Sequence, residues 1–189
     1  MFFKNILLIY IMVCMFGLAH AEEDIVLLFG GDVTLSNNYP VIATGAYVDP
    51  NYSFRKISDI TKESDVFVVN CENAITNYTK KIAKKFNFKM DPQLTGVFSK
   101  NQINLVNLAN NHVLDYDTRG LSDTIKYLNI FGVKHFGAGM NLQEARSPVV
   151  ENVKGKKLFF FELKKLLGCW ICYTTALLEA GFNKRYKHV

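Results

Sequence analysis

Three short apolar runs along the chain each give way directly to a cluster of polar side chains. The runs cover residues 25–29, 66–69 and 103–109, and each has the length of a buried strand. Helical patterns separate them, so the alternation predicts an α/β fold in which sheet and helices form layers. Because the carboxyl ends of parallel strands lie at one edge of a sheet, we expect the three polar clusters to meet there.

The other elements are predicted from apolar periodicity and from capping and turn residues. Ser53 is predicted to cap a helix over residues 53–64, and Asp91-Pro92 to begin another that ends near Lys100. Residues 117–120 are predicted as a turn before a helix at 121–131, which Gly132 ends. The remaining predictions are a loop at 74–89, a strand at 133–136, a helix that Asn141 caps through Arg146, and a hairpin of 149–153 with 157–161.

Two of the polar clusters contain a carboxylate. Asp32 follows Gly30-Gly31, and a carboxylate there can bind a divalent cation because the glycines allow a close approach to the backbone. The same aspartate could instead hydrogen-bond the amides of a turn. Glu72 lies two residues after Asn70 and is a second candidate ligand, for which a solvated loop position is the simpler interpretation.

The third cluster is Asn110-Asn111-His112 with Asp115. Two amides and an imidazole after an apolar strand are costly to bury, which favours a site. Asn111 can bind a metal through its amide oxygen, and His112 can protonate a leaving group near neutral pH. Asp115 could orient His112 or begin the turn that follows. The alternative is a polar loop with a hydrogen-bonded histidine, which is also the interpretation we favour for His135.

The first 21 residues have the pattern of a secretory signal. Lys4 precedes an apolar stretch at 6–18, and Ala19-His20-Ala21 has the form of a signal-peptidase site. The stretch is shorter than the roughly 20 residues of a membrane-spanning helix. Cleavage after Ala21 is therefore expected, with an uncleaved anchor as the alternative, and either form places the chain in the periplasm or at the cell surface.

Charge and cysteine content change this picture little. Without the signal, 21 basic residues face 17 acidic ones, a net charge of +4. The lysines are densest at 80–89, 154–157 and 184–187, and each group is interpreted as a solvated face. No basic stripe alternates with aromatics, so nucleic acid is not an expected partner, although a polyanion or anionic head groups could be attracted. Cys169 and Cys172 form a single CxxC, which indicates neither a zinc site nor a thioredoxin-like one.

Several of these motifs together resemble the capsule synthesis CapA family. The resemblance rests on Gly31-Asp32-Val-Thr-Leu35, Asn70-Cys-Glu72 and Leu108-Ala-Asn-Asn-His-Val-Leu-Asp115 with Gly120. Gly137-Ala-Gly-Met-Asn141 and Glu144-Ala-Arg-Ser-Pro148 extend it, so that it covers about residues 24–161.

The resemblance implies a fold similar to calcineurin-like metallophosphoesterases and a role in making, exporting or attaching poly-γ-glutamate or capsule. The implied partners are that polymer and membrane capsule-synthesis proteins. The implied roles are metal binding (Mn, Mg or Zn) by Asp32, Glu72 and Asn111, catalysis by His112 and Asp115, and substrate binding by Asn70 and Asn110.

This sequence departs from the family in two respects. Thr34 stands where many metallophosphoesterases carry a ligand histidine, and nothing after Phe161 resembles the family's later histidine motifs. We therefore expect a signal at 1–21, a family domain at 22–162 and an atypical tail at 163–189. A truncated or frameshifted product with an incomplete fold would explain this division. Oxygen ligands alone would bind Mg or Mn weakly, so little turnover is expected.

Two functions stay open at this point. The first is a metal-dependent hydrolase or transferase that acts on capsule polymer or a phosphoester. The second is a non-catalytic component for capsule assembly or anchoring, and an inactive fragment is a third outcome.

Overall fold

The computed structural model describes residues 23–36 and 49–161, and beyond them only the backbone of four short strands. The predicted signal at 1–21 lies outside the described residues, as do the side chains of the tail at 163–189. The strands are β1 Leu27–Val33, β2 Val66–Cys71, β3 Ala74–Ile75, β4 Lys89–Met90, β5 Ile103–Asn107, β6 Lys134–Phe136, β7 Val149–Val153, β8 Lys156–Phe161, β9 Lys165–Leu166, β10 Cys169–Trp170, β11 Thr175–Leu178 and β12 Tyr186–His188. The helices are α1 Ser58–Lys62, α2 Gly96–Lys100, α3 Asp117–Ile130 and α4 Leu142–Arg146, with 3₁₀ turns at Pro50–Phe54 and Pro92–Leu94.

A five-stranded parallel sheet in the order β12-β1-β2-β5-β6 is the centre of the fold. The register pairs Asp32 with Asn70 and Asn70 with Asn107, so the carboxyl ends of three strands are level. The predicted α/β class and the parallel direction of the first three strands are thereby confirmed. The level ends explain how residues far apart in sequence come to one edge of the sheet.

Both faces of the parallel sheet are covered, and each has its own core. Phe67 and Val69 pack on the helix side with Phe98, Leu108 and Leu128. On the other side, Val66 and Val68 pack against Leu158 and Phe160 of the β7–β8 hairpin, together with Leu27, Leu105 and Phe136. Burial on both faces is the reason why these strands are continuously apolar instead of alternating.

The β7–β8 hairpin forms as predicted. Lys154 and Gly155 occupy its turn with φ values of +50° and +78°, the left-handed geometry that a two-residue hairpin turn requires. The backbone of β11 extends this sheet by pairing with β8. The sequence between 163 and 189 showed no clear period, yet its backbone also supplies β12 at the edge of the parallel sheet.

Two predicted elements differ in the structure. Residues 53–64 do not form one helix capped by Ser53, because Asp49 caps a 3₁₀ turn there and α1 follows after a break. Residues 117–120 are not a turn, since α3 already begins at Asp117. Side-chain caps form as predicted at Asp91, before the 3₁₀ turn, and at Asn141, before α4, whereas α3 begins at Asp117 without a side-chain cap and ends before Gly132.

Residues 74–89, predicted as a loop, begin and end in the paired strands β3 and β4. Between these strands, residues 76–88 form a loop that we call the basic loop. Among the described residues, no helix is long and apolar enough to cross a membrane.

Candidate functional site

Asn70 joins the polar residues at the level strand ends. Its side-chain amide donates hydrogen bonds to Asp32 Oδ1 at 2.8 Å and to Glu72 Oε2 at 2.7 Å. Its carbonyl oxygen accepts from the amides of Asn110 at 3.0 Å and Asn107 at 3.4 Å. One amide side chain therefore fixes two carboxylates that the sequence separates by 40 positions.

Asn110 holds the loop that carries the histidine. Its amide donates to the Cys71 carbonyl at 2.9 Å, and its oxygen accepts from the backbone N–H of His112 at 3.0 Å. Only 3% of Asn110 is exposed. These bonds position His112, while substrate binding by Asn110 and by half-buried Asn70 stays a prediction.

His112 and Asp115 form a buried pair. His112 Nδ1 lies 2.7 Å from Asp115 Oδ2, and Asp115 is 0% exposed. Because an ionised carboxylate only accepts hydrogen bonds, the Asp115 contact favours the tautomer of neutral His112 with its proton on Nδ1 and its lone pair on Nε2, whereas Lys84 Nζ, 3.3 Å from the same Nδ1, favours the other tautomer. Nε2 faces Glu72, with 3.8 Å to its Oε1. Of the two alternatives for Asp115, the structure supports the one in which it orients His112.

The sequence analysis missed two residues of this site, Lys84 and Phe88, which come from the basic loop. Lys84 Nζ lies 2.8 Å from Asp115 Oδ1 and donates to the Asn111 carbonyl at 2.7 Å. Phe88 donates its backbone N–H to Asp115 Oδ2 at 2.7 Å and stacks its ring on His112 with 4.1 Å between centroids. The lysines at 80–89 were interpreted as one solvated face, and for Lys84 this is wrong.

Glu72 is the most perturbed carboxyl group of the site. Burial, reinforced by the neighbouring Asp32 carboxylate, raises the pKa of Glu72 to about 7 against the opposing charge of Lys84. Two adjacent carboxyl groups favour holding one proton between them instead of two negative charges. Next to Glu72, burial raises the pKa of the Cys71 thiol to about 12, which makes this thiol a packing group instead of a nucleophile.

The donors at the sheet edge suit a hard divalent cation. Asp32 and Glu72 are close enough to repel each other, and a cation would relieve that repulsion as a shared proton does. Oxygen donors favour Mg²⁺ or Mn²⁺ over Zn²⁺. Asn111, the third predicted ligand, has an exposed position and contributes its backbone carbonyl to Lys84. Over the described part of the chain, no three His, Cys, Asp or Glu side chains are grouped to hold a metal ion.

Comparison with known proteins gives consistent results. A family model described as bacterial capsule synthesis protein PGA_cap matches residues 26–174. The capsule biosynthesis protein CapA of Bacillus anthracis is 28% identical over 145 residues, which are 74% of this chain and 34% of that protein. The PGA biosynthesis protein CapA of Bacillus subtilis (strain 168) is 27% identical over 139 residues, which are 68% and 36% of the two chains.

A probable polyglutamine synthesis accessory protein of Mycobacterium tuberculosis is 32% identical over 91 residues, 48% of this chain and 24% of that protein. This chain spans about a third of the length of the two Bacillus relatives that it matches. The matches confirm the resemblance on which the sequence analysis relied.

Proposed function

Because the chain belongs to the PGA_cap family of bacterial capsule synthesis proteins, we propose that its strand-end site acts on a capsule polymer of the poly-γ-glutamate type. The reaction is hydrolysis or transfer at an amide bond of that polymer. The observation that carries the proposal is the buried His112–Asp115 pair, in which Nδ1 contacts Asp115 and Nε2 faces Glu72. The placement of Asp32, Glu72 and His112 at strand ends also supports the proposed relation to metallophosphoesterases.

His112 can serve in turn as general base and general acid. A water molecule or a polymer amine attacks the carbonyl carbon and gives its proton to Nε2. The C–N bond then breaks, and the leaving nitrogen takes the same proton, so that neutral His112 is restored. The imidazolium formed between these steps lies 2.7 Å from Asp115 and 3.8 Å from Glu72. Two neighbouring carboxylates stabilise that positive charge.

Asp32 and Glu72 would hold a divalent cation beside the histidine. When bound, the cation would polarise the carbonyl group under attack. With so few protein donors, binding should be weak, with a Kd on the order of 10⁻⁴ M or higher. Isothermal titration with Mn²⁺ tests this assignment, because Asp32→Asn should abolish the binding heat and Lys62→Gln should leave it unchanged. Tight Mn²⁺ binding that survives Asp32→Asn would place the cation elsewhere.

The catalytic proposal is tested with poly-γ-glutamate of defined length. The full chain should shorten the polymer or transfer its segments slowly in the presence of Mn²⁺ or Mg²⁺. His112→Gln should reduce the rate about a hundredfold, the range of general acid–base catalysis. His135→Gln removes a histidine outside the site and is the matched control. If no polymer change occurs with either cation, the site belongs to a non-catalytic assembly or anchoring component, and full activity of His112→Gln would remove His112 from the catalytic mechanism.

Export of the chain is the second part of the proposal. It is supported by the charged, apolar and small-residue pattern of residues 1–21. Intact-mass measurement of the secreted protein should show Glu22 at its N-terminus. A form that keeps Met1 in the membrane fraction would indicate an anchor instead. We also propose that the chain associates with membrane capsule-synthesis proteins, and this part rests only on its membership of the family.

A further inference from the structure

The basic loop has an unusual composition for a segment beside two carboxylates. Residues 76–88 contain four lysines and no acidic residue, and Lys89 follows at once in β4. The lysines are separated by apolar and aromatic residues, of which Phe86 is 58% exposed, Ile82 39% and Tyr78 36%. The loop therefore presents positive charge and apolar surface together.

Several hydrogen bonds fix the basic loop against the site. The backbone N–H of Ile82 donates to the Asp115 carbonyl at 3.0 Å, and that of Phe88 donates to the Asp115 carboxylate at 2.7 Å. Lys84, between these two anchors, points inward to the same carboxylate. Lys81 and Lys85 are therefore the direct sequence neighbours of two residues that contact Asp115, Ile82 and Lys84.

Lys80, Lys81 and Lys85 are exposed and have no ion-pair partner among the described residues. Lys134 and Lys154 do form ion pairs, with Glu151 and Asp65, but exposed Lys56 and Lys100 form none among the described residues, so the loop is distinguished by having three such lysines within six positions. Positive charges closer than a Debye length repel one another, and an anionic ligand would relieve this repulsion. These charges belong to the loop whose Ile82, Lys84 and Phe88 contact Asp115.

We propose that the basic loop is the binding site for a linear polycarboxylate, with Lys80, Lys81 and Lys85 contacting successive carboxylates while one amide of the polymer reaches His112. This inference rests on the proposed function, which it deepens by locating the polymer on the protein. Phe86 and Tyr78 provide apolar surface for the methylene groups between the carboxylates. A flexible, highly charged polymer binds such a surface mainly through charge, so its affinity must fall with added salt.

The test uses fluorescein-labelled poly-γ-glutamate and the full chain in an anisotropy titration at several salt concentrations. The triple variant Lys80→Gln, Lys81→Gln and Lys85→Gln should bind about tenfold more weakly at low salt, with a flatter salt dependence. A second triple variant, Lys56→Gln, Lys62→Gln and Lys100→Gln, removes the same charge from exposed positions that precede β2 and β5. It should bind like the unaltered protein, and thermal unfolding verifies that both variants are folded.

Each remaining outcome decides between explanations. Equal losses in the two triple variants would mean that only net charge matters, which would overturn the loop site. Tighter, lysine-dependent binding of an oligonucleotide or of phosphatidylglycerol vesicles would replace the polycarboxylate with another anionic partner. Binding without polymer cleavage would keep the loop site while the catalytic proposal fails. If the Lys80, Lys81 and Lys85 variant cleaves the polymer with an unchanged KM, the catalytic proposal stands and the loop site fails.

Discussion

Asp115 is the residue on which the candidate site depends most. Its carboxylate is fully buried, and it accepts from Lys84, His112 and the backbone of Phe88 at 2.7–2.8 Å. A buried carboxylate is costly unless charges or hydrogen bonds compensate it, and all of these partners are present. The same contacts orient the imidazole and attach the basic loop, so one side chain links the chemistry of the site to its architecture.

Lys84→Met should destabilise the protein by about 2–3 kcal/mol, because it leaves Asp115 without its cation. Lys85→Met changes the adjacent, exposed lysine and should stay within about 0.5 kcal/mol. Urea denaturation of both variants measures the difference. Equal stability of the two would show that the Lys84–Asp115 contact at 2.8 Å contributes nothing.

Glu72 should make the stability depend on pH. Its folded pKa of about 7 lies above the ordinary value of 4.5, so the folded protein keeps a proton that the unfolded chain releases. Stability from this group is complete below pH 4.5, and it falls as the pH rises through about 7. Because the carboxyl still contacts solvent, we expect a loss of about 1–2 kcal/mol. Glu72→Gln should remove this slope in denaturation curves recorded with EDTA between pH 4 and 8, and a slope that persists in the variant would assign it to another group.

The sequence predicted the strand-end residues of the site and missed those that the basic loop supplies. Asp32, Glu72 and His112 follow apolar runs that can only be strands in an α/β alternation, and parallel strands bring such ends together. Lys84 and Phe88 have no local pattern of this kind, since only their contacts with Asp115 place them. Asn107 was counted within an apolar strand, and its bond to Asn70 depends on the register between β2 and β5.

At the scale of elements, the turn after β6 shows how closely the fold surrounds the site. Gly137 has a φ of +84°, and a Cβ there would lie 2.7 Å from the Ala109 Cβ and 2.8 Å from Asn107 Oδ1. Any side chain would therefore press on the end of β5, where the polar cluster begins. The sequence pattern does not show that this glycine contacts the strand that leads to His112.

Gly137→Ala should cost about 2–4 kcal/mol, because left-handed strain and steric overlap add. Gly155→Ala is the control for strain alone, since its φ is +78° and no atom lies within 4 Å of its Cβ position. That variant should lose about 1 kcal/mol. Thermal unfolding measures both, and losses of similar size would mean that crowding against Ala109 and Asn107 is relieved without cost.

Helix limits were the least predictable elements for a physical reason. Ser53 and Asp49 are both good caps, and in the structure it is Asp49 that accepts from the Asn51 N–H at the start of the 3₁₀ turn at Pro50–Phe54. Residues 117–120 contain Asp117 and Gly120, which are typical turn residues, yet they form the first turn of α3. Gly120 is needed there for packing, because a Cβ would lie 2.7 Å from the Tyr116 Cβ.

At the scale of the whole molecule, the parallel sheet is enclosed by two different layers. The helices cover one face and the β7–β8 hairpin the other, while Lys154 ties the hairpin turn to Asp65 at 2.9 Å and to the Asp24 carbonyl at 2.7 Å. The candidate site lies at the strand ends, and of the described residues there Asp32 is exposed.

The rate at which the Cys71 thiol is labelled can report how often the central strand β2 opens. The thiol is 0% exposed. Cys71 is the last residue of β2 and lies between two residues of the site, Asn70 in the strand and Glu72 directly after it. An alkylating reagent can reach it only when β2 separates from its neighbours, so the labelling rate at this position counts such openings. Peptide mapping by mass spectrometry distinguishes Cys71 from the other cysteines. If labelling keeps pace with global unfolding, the sheet opens as one cooperative unit, whereas faster labelling would mean that the strand bearing the site opens while the rest of the molecule stays folded.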